Sequence, residues 1–120
     1  MEQILIVNQN VTQGLALQSL LAQRPETADA AVVAHSVEDA VSILHRFNPR
    51  LIFMNLEQEG IFDFFRKVDQ KNVEVIALIS DVWESALAAR LLELDHLMAP
   101  YSPTALEKTL RKTNYSMGRA

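Results

Sequence analysis

The chain has no cysteine and only three glycines among its 120 residues. The absence of cysteine excludes disulfide bonds, thiolate metal sites and thiol catalysis. The glycines, Gly14, Gly60 and Gly118, are far apart and form no phosphate-binding loop, which weighs against nucleotide binding. No apolar run approaches the roughly 20 residues that a membrane-spanning helix needs. The N-terminal residues lead straight into an apolar run and do not have the pattern of a signal peptide.

Charge of either sign is moderate, and the composition is that of a folded protein. The apolar fraction is 49%, the charged fraction is 22% and the net charge is −4. An acidic balance argues against nucleic acid or an anionic membrane as the main partner. These values predict one soluble, cytoplasmic domain over residues 1–113, followed by a polar tail, residues 114–120, that is a loose end or the stump of a linker.

Five short apolar runs alternate with five stretches of helical pattern. The strands are predicted over residues 3–8, 30–35, 51–55, 73–80 and 96–99. The helices are predicted over residues 11–24, 37–47, 61–68 and 81–94 and from residue 103 onward. Ser36 and Ser102 stand where helix N-caps are expected, with Pro103 at the first helical position. Asp81 is expected to cap the fourth helix.

This alternation predicts the fold class. Strands that alternate with helices form parallel βαβ units, and in a chain this short the common arrangement is flavodoxin-like. We therefore predict an α/β fold of three layers, α/β/α, with a doubly wound five-stranded parallel sheet in the order 2-1-3-4-5. Ligands of such sheets bind beyond the carboxyl ends of the strands.

The residues at these strand ends resemble a response-regulator receiver domain of two-component signalling. The resemblance covers almost the whole chain and rests on three segments, "ILIVNQN", "NPRLIFMNL" and "DHLMAPYSPTAL". In the family, the first segment carries paired acids and the second has a proline, five residues and then the phosphoacceptor aspartate. The third carries a short strand, a Lys-Pro pair, an aromatic residue and a capped last helix.

The resemblance implies a site whose reactive residues are replaced. Asn8 and Gln9 stand where the family has the acids that help to hold Mg²⁺, and Asn55 stands at the phosphoacceptor position. Ala99 replaces the lysine that contacts the phosphoryl group. The strand-four hydroxyl falls on Ile79 or, if that strand is one residue longer, on Ser80. The switch aromatic of strand five corresponds to His96. The segments after strands three and four are a few residues shorter than in the family.

The chemistry of these side chains leads to the same conclusion. Mg²⁺ prefers carboxylate oxygens, and an amide is a very poor nucleophile for phosphoryl transfer. Phosphoryl transfer also needs its charge neutralised by a metal and a cation, and Ala99 supplies none. Because nucleophile, metal ligands and countercharge are absent together, we expect a degenerate pseudo-receiver that is not phosphorylated and has no metal or cofactor.

Other readings of these residues remain open at this point. Asn55 is either a strand-end residue that bonds to nearby backbone or a remnant ligand site. Glu57 and Glu59 are either a solvated rim or new metal ligands. Ser80 with His96 would make a nucleophile and a base, although no third group orients them. An enzyme is the least favoured function because no catalytic set is present.

Two functions from different classes fit the sequence. The first is an interaction module, phosphorylation-independent, that dimerises or docks a regulator, a kinase or an effector domain. Its face is expected on the fourth helix, the fifth strand and the last helix, with candidate residues Trp83, Arg90, His96 and Tyr101. Trp83 is alternatively a core residue. The second function is a sensor of a small molecule or anion in the emptied pocket of Asn8, Gln9, Asn55 and Ser80.

Overall fold

Strands and helices alternate along the chain as the pattern predicts. The computed structural model describes residues 4–28, 30–46, 48–68, 72–79 and 83–113, with the side chains of residues 83–86 excepted. The strands are β1 (Ile4–Val7), β2 (Ala31–Ala34), β3 (Leu51–Asn55), β4 (Glu74–Ile79) and β5 (Asp95–Met98). The helices are α1 (Val11–Ala22), α2 (Val37–Leu44), α3 (Ile61–Arg66), α4 (Trp83–Leu91) and α5 (Pro103–Arg111), and Pro25–Thr27 form a short 3₁₀ turn.

The strands form one parallel sheet in the order β2-β1-β3-β4-β5, which confirms the predicted fold class. β1 and β3 are buried along their whole length because helices cover both faces of the sheet. Alternate strand residues point to opposite faces and build two apolar cores. On one face α1 and α5 pack through Leu17, Leu21, Leu106 and Leu110. On the other face α2, α3 and α4 pack through Ala40, Ile43, Ile61, Phe64 and Ala89.

Helix capping follows the sequence signals. Ser36 Oγ accepts a hydrogen bond from Asp39 N at 3.0 Å, and Ser102 Oγ accepts one from Ala105 N at 3.1 Å. Both predicted N-caps are therefore confirmed. Each cap satisfies one of the four backbone N–H groups that the start of a helix leaves free.

Several element boundaries differ from the prediction. α1, α2 and α3 end at Ala22, Leu44 and Arg66 rather than at residues 24, 47 and 68, and α4 and β5 differ as well. α4 ends at Leu91 rather than at residue 94, because Glu93 adopts a left-handed backbone conformation with φ of 58° that a helix cannot continue. The earlier helix end lets β5 begin at Asp95, one residue before the predicted start. Ser80, Asp81, the side chain of Trp83 and the tail of residues 114–120 lie outside the described residues.

Within the described ranges, no helix combines the length and the apolar composition that crossing a bilayer requires.

Candidate functional site

The carboxyl ends of β1 and β3 bring two asparagines together. The strands are neighbours, and Val7 is in register with Met54, so Asn8 and Asn55 follow at the same height. Asn55 Nδ2 donates a hydrogen bond to Asn8 Oδ1 at 2.8 Å. Asn8 is fully buried and Asn55 is 7% exposed. The two side chains to which the sequence resemblance assigned the metal-ligand and phosphoacceptor positions are thus bonded to each other.

Asn8 makes further bonds that tie the start of α1 and the segment before α5 to this point. Its Oδ1 also accepts from Asn10 N at 2.9 Å, and its Nδ2 donates to Tyr101 Oη at 3.3 Å. Asn10 in turn caps α1, with its Oδ1 accepting from Gln13 N at 3.0 Å. Asn8 therefore uses both of its amide hydrogen-bonding groups within the protein.

The loop after β3 closes over the same end of the sheet. Asn55 Oδ1 accepts from Glu57 N at 2.7 Å, a local turn in which the side chain takes the place of a backbone carbonyl. Gln58 Oε1 accepts from Gln9 N at 2.8 Å. Gln58 is only 5% exposed, and its Nε2 has no hydrogen-bond partner in the described part of the chain. We refer to Asn8, Asn55 and Gln58 as the amide cluster.

Tyr101 borders the amide cluster from the α1 and α5 side of the sheet. Its ring packs against that core, and its hydroxyl also lies 3.5 Å from Gln13 Oε1. Burial raises the pKa of Tyr101 to about 12, the hydrogen bond from Asn8 opposes this rise, and the negative charge of Glu57 adds to it. The phenol therefore stays protonated at neutral pH.

The structure brings together only part of the residue set that the sequence suggested. Asn8 and Asn55 meet, whereas Gln9 is exposed and contributes its backbone N–H. Ile79 does not reach the cluster: its side chain is buried in the core under α4, because the strand register points it there. Ala99 donates its backbone N–H to Ile79 O at 2.9 Å and offers no cation. Ser80 falls outside the described residues.

The groups of the amide cluster are neutral. Asn8 and Asn55 are bonded to each other, and Gln58 Oε1 is bonded to Gln9 N. Each Asn oxygen accepts from a protein N–H, so a metal would have to displace internal hydrogen bonds and would gain no carboxylate ligand. Glu57 and Glu59 are exposed. Over the ranges that the structure describes, no three His, Asp or Glu side chains are grouped closely enough to hold a metal ion.

The second candidate region is the outer surface of α4 and β5. Arg90 and His96 are exposed there, together with the apolar side chains Leu87, Leu91 and Met98. His96 is in register with Ala77, which places it on the α4 side of the sheet. Tyr101 does not join this face, since its ring packs against the core on the opposite side. We refer to Leu87, Arg90, Leu91, His96 and Met98 as the α4–β5 face.

Gln58 and the inward orientation of Tyr101 were missed by the sequence reasoning. Gln58 belongs to a loop with no periodic pattern, and Tyr101 was taken for a surface anchor. One signal was present for Gln58, since the segment after β3 is shorter than in receiver domains and brings loop side chains close to the strand ends. Nothing in the sequence pattern indicated that the Tyr101 hydroxyl would bond to Asn8.

Together, the sheet order, the covering helices and the arrangement of the strand ends define the receiver fold, a member of the flavodoxin-like class. Comparison with solved structures gives the same result. The signal receiver domain of a DNA-binding response regulator from Colwellia psychrerythraea 34H is 21% identical, with a TM-score of 0.76 over 93% of this chain and 97% of that chain. A response regulator receiver protein from Pseudomonas putida is 22% identical, with a TM-score of 0.74 over 93% and 97%.

A third structure agrees at lower identity. A response regulator receiver protein from Burkholderia phymatum is 17% identical, with a TM-score of 0.77 over 92% of each chain. No protein-family model matches the chain, and no curated protein sequence matches it either. Similarity at this level establishes the fold, and the function has to be argued from the site.

Proposed function

We propose that this chain is a non-catalytic, cytoplasmic signal-transduction domain that acts through protein contacts and is not switched by phosphorylation. The single observation that carries the proposal is the hydrogen bond between Asn55 and Asn8. In a receiver domain these positions hold the phosphoryl group and its metal. Here both are neutral, buried and bonded to each other.

The energetics support the same conclusion. Phosphorylating the side chain at position 55 would need a nucleophile, and a carboxamide is a very poor one. It would also add a phosphoryl group of about −2 charge to a cluster of neutral amides, and Ala99, which the resemblance aligns with the family's lysine, supplies no cation to neutralise it. Glu57, whose backbone N–H bonds to Asn55 Oδ1, carries a negative charge that acts on Tyr101. The missing cation and the negative charge of Glu57 therefore both oppose the modification.

Reconstruction of the site tests this proposal. We expect Asn55→Asp alone to gain no phosphoryl mass with acetyl phosphate and Mg²⁺, because the new carboxylate still lacks a metal site and a lysine. The variant that also carries Gln9→Asp and Ala99→Lys is the matched control and should recover part of the reaction. Phosphorylation of the single variant at an ordinary rate, seen by intact mass, would show that the alignment of the pocket is wrong.

The α4–β5 face supports a role in protein contacts. Leu91 is 75% exposed, and Leu87 lies one turn away on the same side of α4. Exposed apolar side chains beside charged ones such as Arg90 are typical of protein interfaces, which have an apolar centre and a polar rim. We propose that this face binds a second copy, or a regulator, a kinase or an effector domain.

Charge reversal tests the face. If a second copy binds there, Arg90→Glu should weaken self-association more than Lys67→Glu, which changes an exposed lysine after α3. Light scattering over a concentration series gives the association constant of each variant. A strictly monomeric wild-type protein would exclude self-association through this face. Self-association that is lost in Lys67→Glu and kept in Arg90→Glu would move the interface to another surface.

A sensor function is the second candidate, and one observation favours it. Gln58 Nε2 is buried and without a partner among the described residues, so it is free to donate to a small ligand. One observation argues against the sensor. The cavity beside α4 and the cavity beside α1 are lined by residues that do not belong to the amide cluster. A thermal-shift series with phosphate, acetate and acetamide tests the sensor. A rise in Tm that Gln58→Leu abolishes would support it, and no rise would reject it for these ligands.

A further inference from the structure

The outward face of α1 carries an unusual absence of charge. From Gln3 to Gln23 the sequence contains no acidic or basic residue. α1 lies within this segment and therefore has no charged side chain on either of its faces. The outward face of a surface helix is usually charged or polar. On α1 the polar groups of this face, Thr12, Ser19 and Gln23, are all uncharged and stand beside exposed apolar residues. This suggests that the outward face of α1 is covered in the working protein.

Three of the exposed residues of α1 form an apolar line on that helix, beside the exposed Thr12, Ala16 and Ser19. Leu17 and Leu21 point into the core. Val11, Leu15 and Ala22 are exposed, and their spacing of four and seven residues places them along one line of the helix. Val11 is 50% exposed and Leu15 is 48% exposed. We refer to Val11, Leu15 and Ala22 as the outer stripe.

The two ends of the outer stripe differ in shape. The N-terminal half presents the larger side chains, Val11 and Leu15. The C-terminal half presents Ser19 and Ala22 beside a groove of about 470 Å³. The groove is lined by Leu15, Gln18, Ser19, Ala22, Ala28 and Ala31. Gln18 Nε2 donates to Ala31 O at 3.2 Å, so one of its two amide hydrogens is used within the chain.

We infer that the outer stripe is an interface between two copies of this chain, with the two α1 helices antiparallel across a two-fold axis. An antiparallel crossing sets the large N-terminal residues of one copy against the small C-terminal residues and the groove of the other. A parallel crossing would set Leu15 against its own equivalent and leave the groove empty. Antiparallel alignment also pairs the helix dipoles favourably.

The absence of charge points to a second copy as the occupant. A two-fold contact pairs each surface with itself, so a charged surface would oppose like charges near the axis. Because the outer stripe carries no charge, two copies can meet there without repulsion between like charges. This interface is separate from the α4–β5 face, where Arg90 and Glu93 are exposed. The inference goes beyond the proposed function and does not depend on it.

Charge insertion distinguishes the two surfaces. We expect Leu15→Arg to raise the dimer dissociation constant about thirtyfold or more, the effect of losing a hot-spot side chain. Phe62→Arg is the matched control, an exposed apolar residue of α3 changed in the same way, and should leave the constant unchanged. Leu91→Arg reports separately on the α4–β5 face. Ala22→Arg changes a second exposed position of the stripe and should raise the dissociation constant as Leu15→Arg does. It keeps the test valid if Leu15→Arg fails to fold.

The outcomes separate the two interfaces. A wild-type chain that stays monomeric from micromolar to millimolar concentration overturns the inference. Dimerisation that is lost in Leu91→Arg and kept in Leu15→Arg and Ala22→Arg also overturns it and supports the α4–β5 face.

Cross-linking tests the antiparallel orientation, and the chain suits it because it has no cysteine of its own. A disulfide forms only where the two Cα atoms lie within about 7 Å. We expect the double variant Val11→Cys with Ala22→Cys to give a covalent dimer on mild oxidation. The single variant Val11→Cys should give none. A covalent dimer from Val11→Cys alone would indicate parallel helices. No covalent dimer from either variant would contradict the interface.

Discussion

At the residue scale, Asn8 is the centre of the site. It is fully buried, its Oδ1 accepts two hydrogen bonds and its Nδ2 donates one to Tyr101. These bonds join β1 and β3, the start of α1 and the segment before α5. The position that the resemblance assigns to a metal ligand thus holds four parts of the chain together.

Replacement of Asn8 by leucine should therefore be costly. Asn55 Nδ2, Asn10 N and Tyr101 Oη would each lose a partner, and each buried polar group left unsatisfied costs about 1–3 kcal/mol. We expect Asn8→Leu to lower the free energy of unfolding in urea by about 3 kcal/mol in total. Gln9→Leu, next to it and exposed, is the control and should stay within about 0.5 kcal/mol of wild type. Equal effects of the two variants would contradict the central role of Asn8.

Tyr101 gives a prediction in alkaline solution. Its pKa is raised from 10.0 to about 12, so the folded state keeps the phenol proton where the unfolded state loses it. The stabilisation is complete below pH 10 and is lost as the pH rises toward 12. We expect Tyr101→Phe to have a lower Tm than wild type, with a difference that shrinks over this interval. A difference that does not depend on pH would show that the raised pKa does not contribute to folding.

At the element scale, a chain of ion pairs links the end of α1 to α5. Arg24 Nη1 donates to Glu107 Oε1 at 2.9 Å, and Arg111 Nη2 donates to Glu107 Oε2 at 2.9 Å. Arg24 also pairs with Glu26 in the 3₁₀ turn. Hydrogen bonds from Arg24 and then from Arg111 lower the pKa of the Glu107 carboxyl from its usual value.

This linkage predicts an acid dependence. A lowered pKa in the folded state stabilises the protein above the pKa of the unfolded chain, and the stabilisation is lost as the pH falls through the folded value. We expect Glu107→Gln to lower Tm slightly at pH 7, with a deficit that shrinks as the pH falls below the ordinary carboxyl range. Glu59→Gln, an exposed loop acid, is the control. A Glu107→Gln deficit that does not change as the pH falls would assign the effect to packing rather than to charge.

Helix α1 also shows why sequence periodicity predicted the element but not its surroundings. Its inward leucines are spaced as a core-facing stripe requires, so the helix was predictable. Gly14 stands where α1 crosses β2, and a Cβ there would lie 3.2 Å from Val33 Cγ1. Such a close approach depends on the tertiary packing of the two elements. It could not be read from either segment alone.

At the scale of the whole molecule, the fold followed from the order of strands and helices, because parallel βαβ units leave few topologies. The meeting of Asn8 and Asn55 also followed, since neighbouring strands end at the same edge of the sheet. The positions of Gln58 and Tyr101 around these two residues could not be predicted, because loop conformation and side-chain direction have no periodic signature. The sequence therefore predicted which strand-end side chains lie together, and the structure revealed the hydrogen bonds between them.

The amide spectrum of the wild-type protein tests the central claim, that the domain cannot be switched at this site, most directly. Two-dimensional NMR spectra would be recorded before and after addition of Mg²⁺ and beryllofluoride, which mimics a bound phosphoryl group. With neutral, mutually bonded amides at Asn8 and Asn55, we expect the two spectra to superimpose. A Mg²⁺-dependent shift that spreads from these residues to α4 and β5 would contradict the claim.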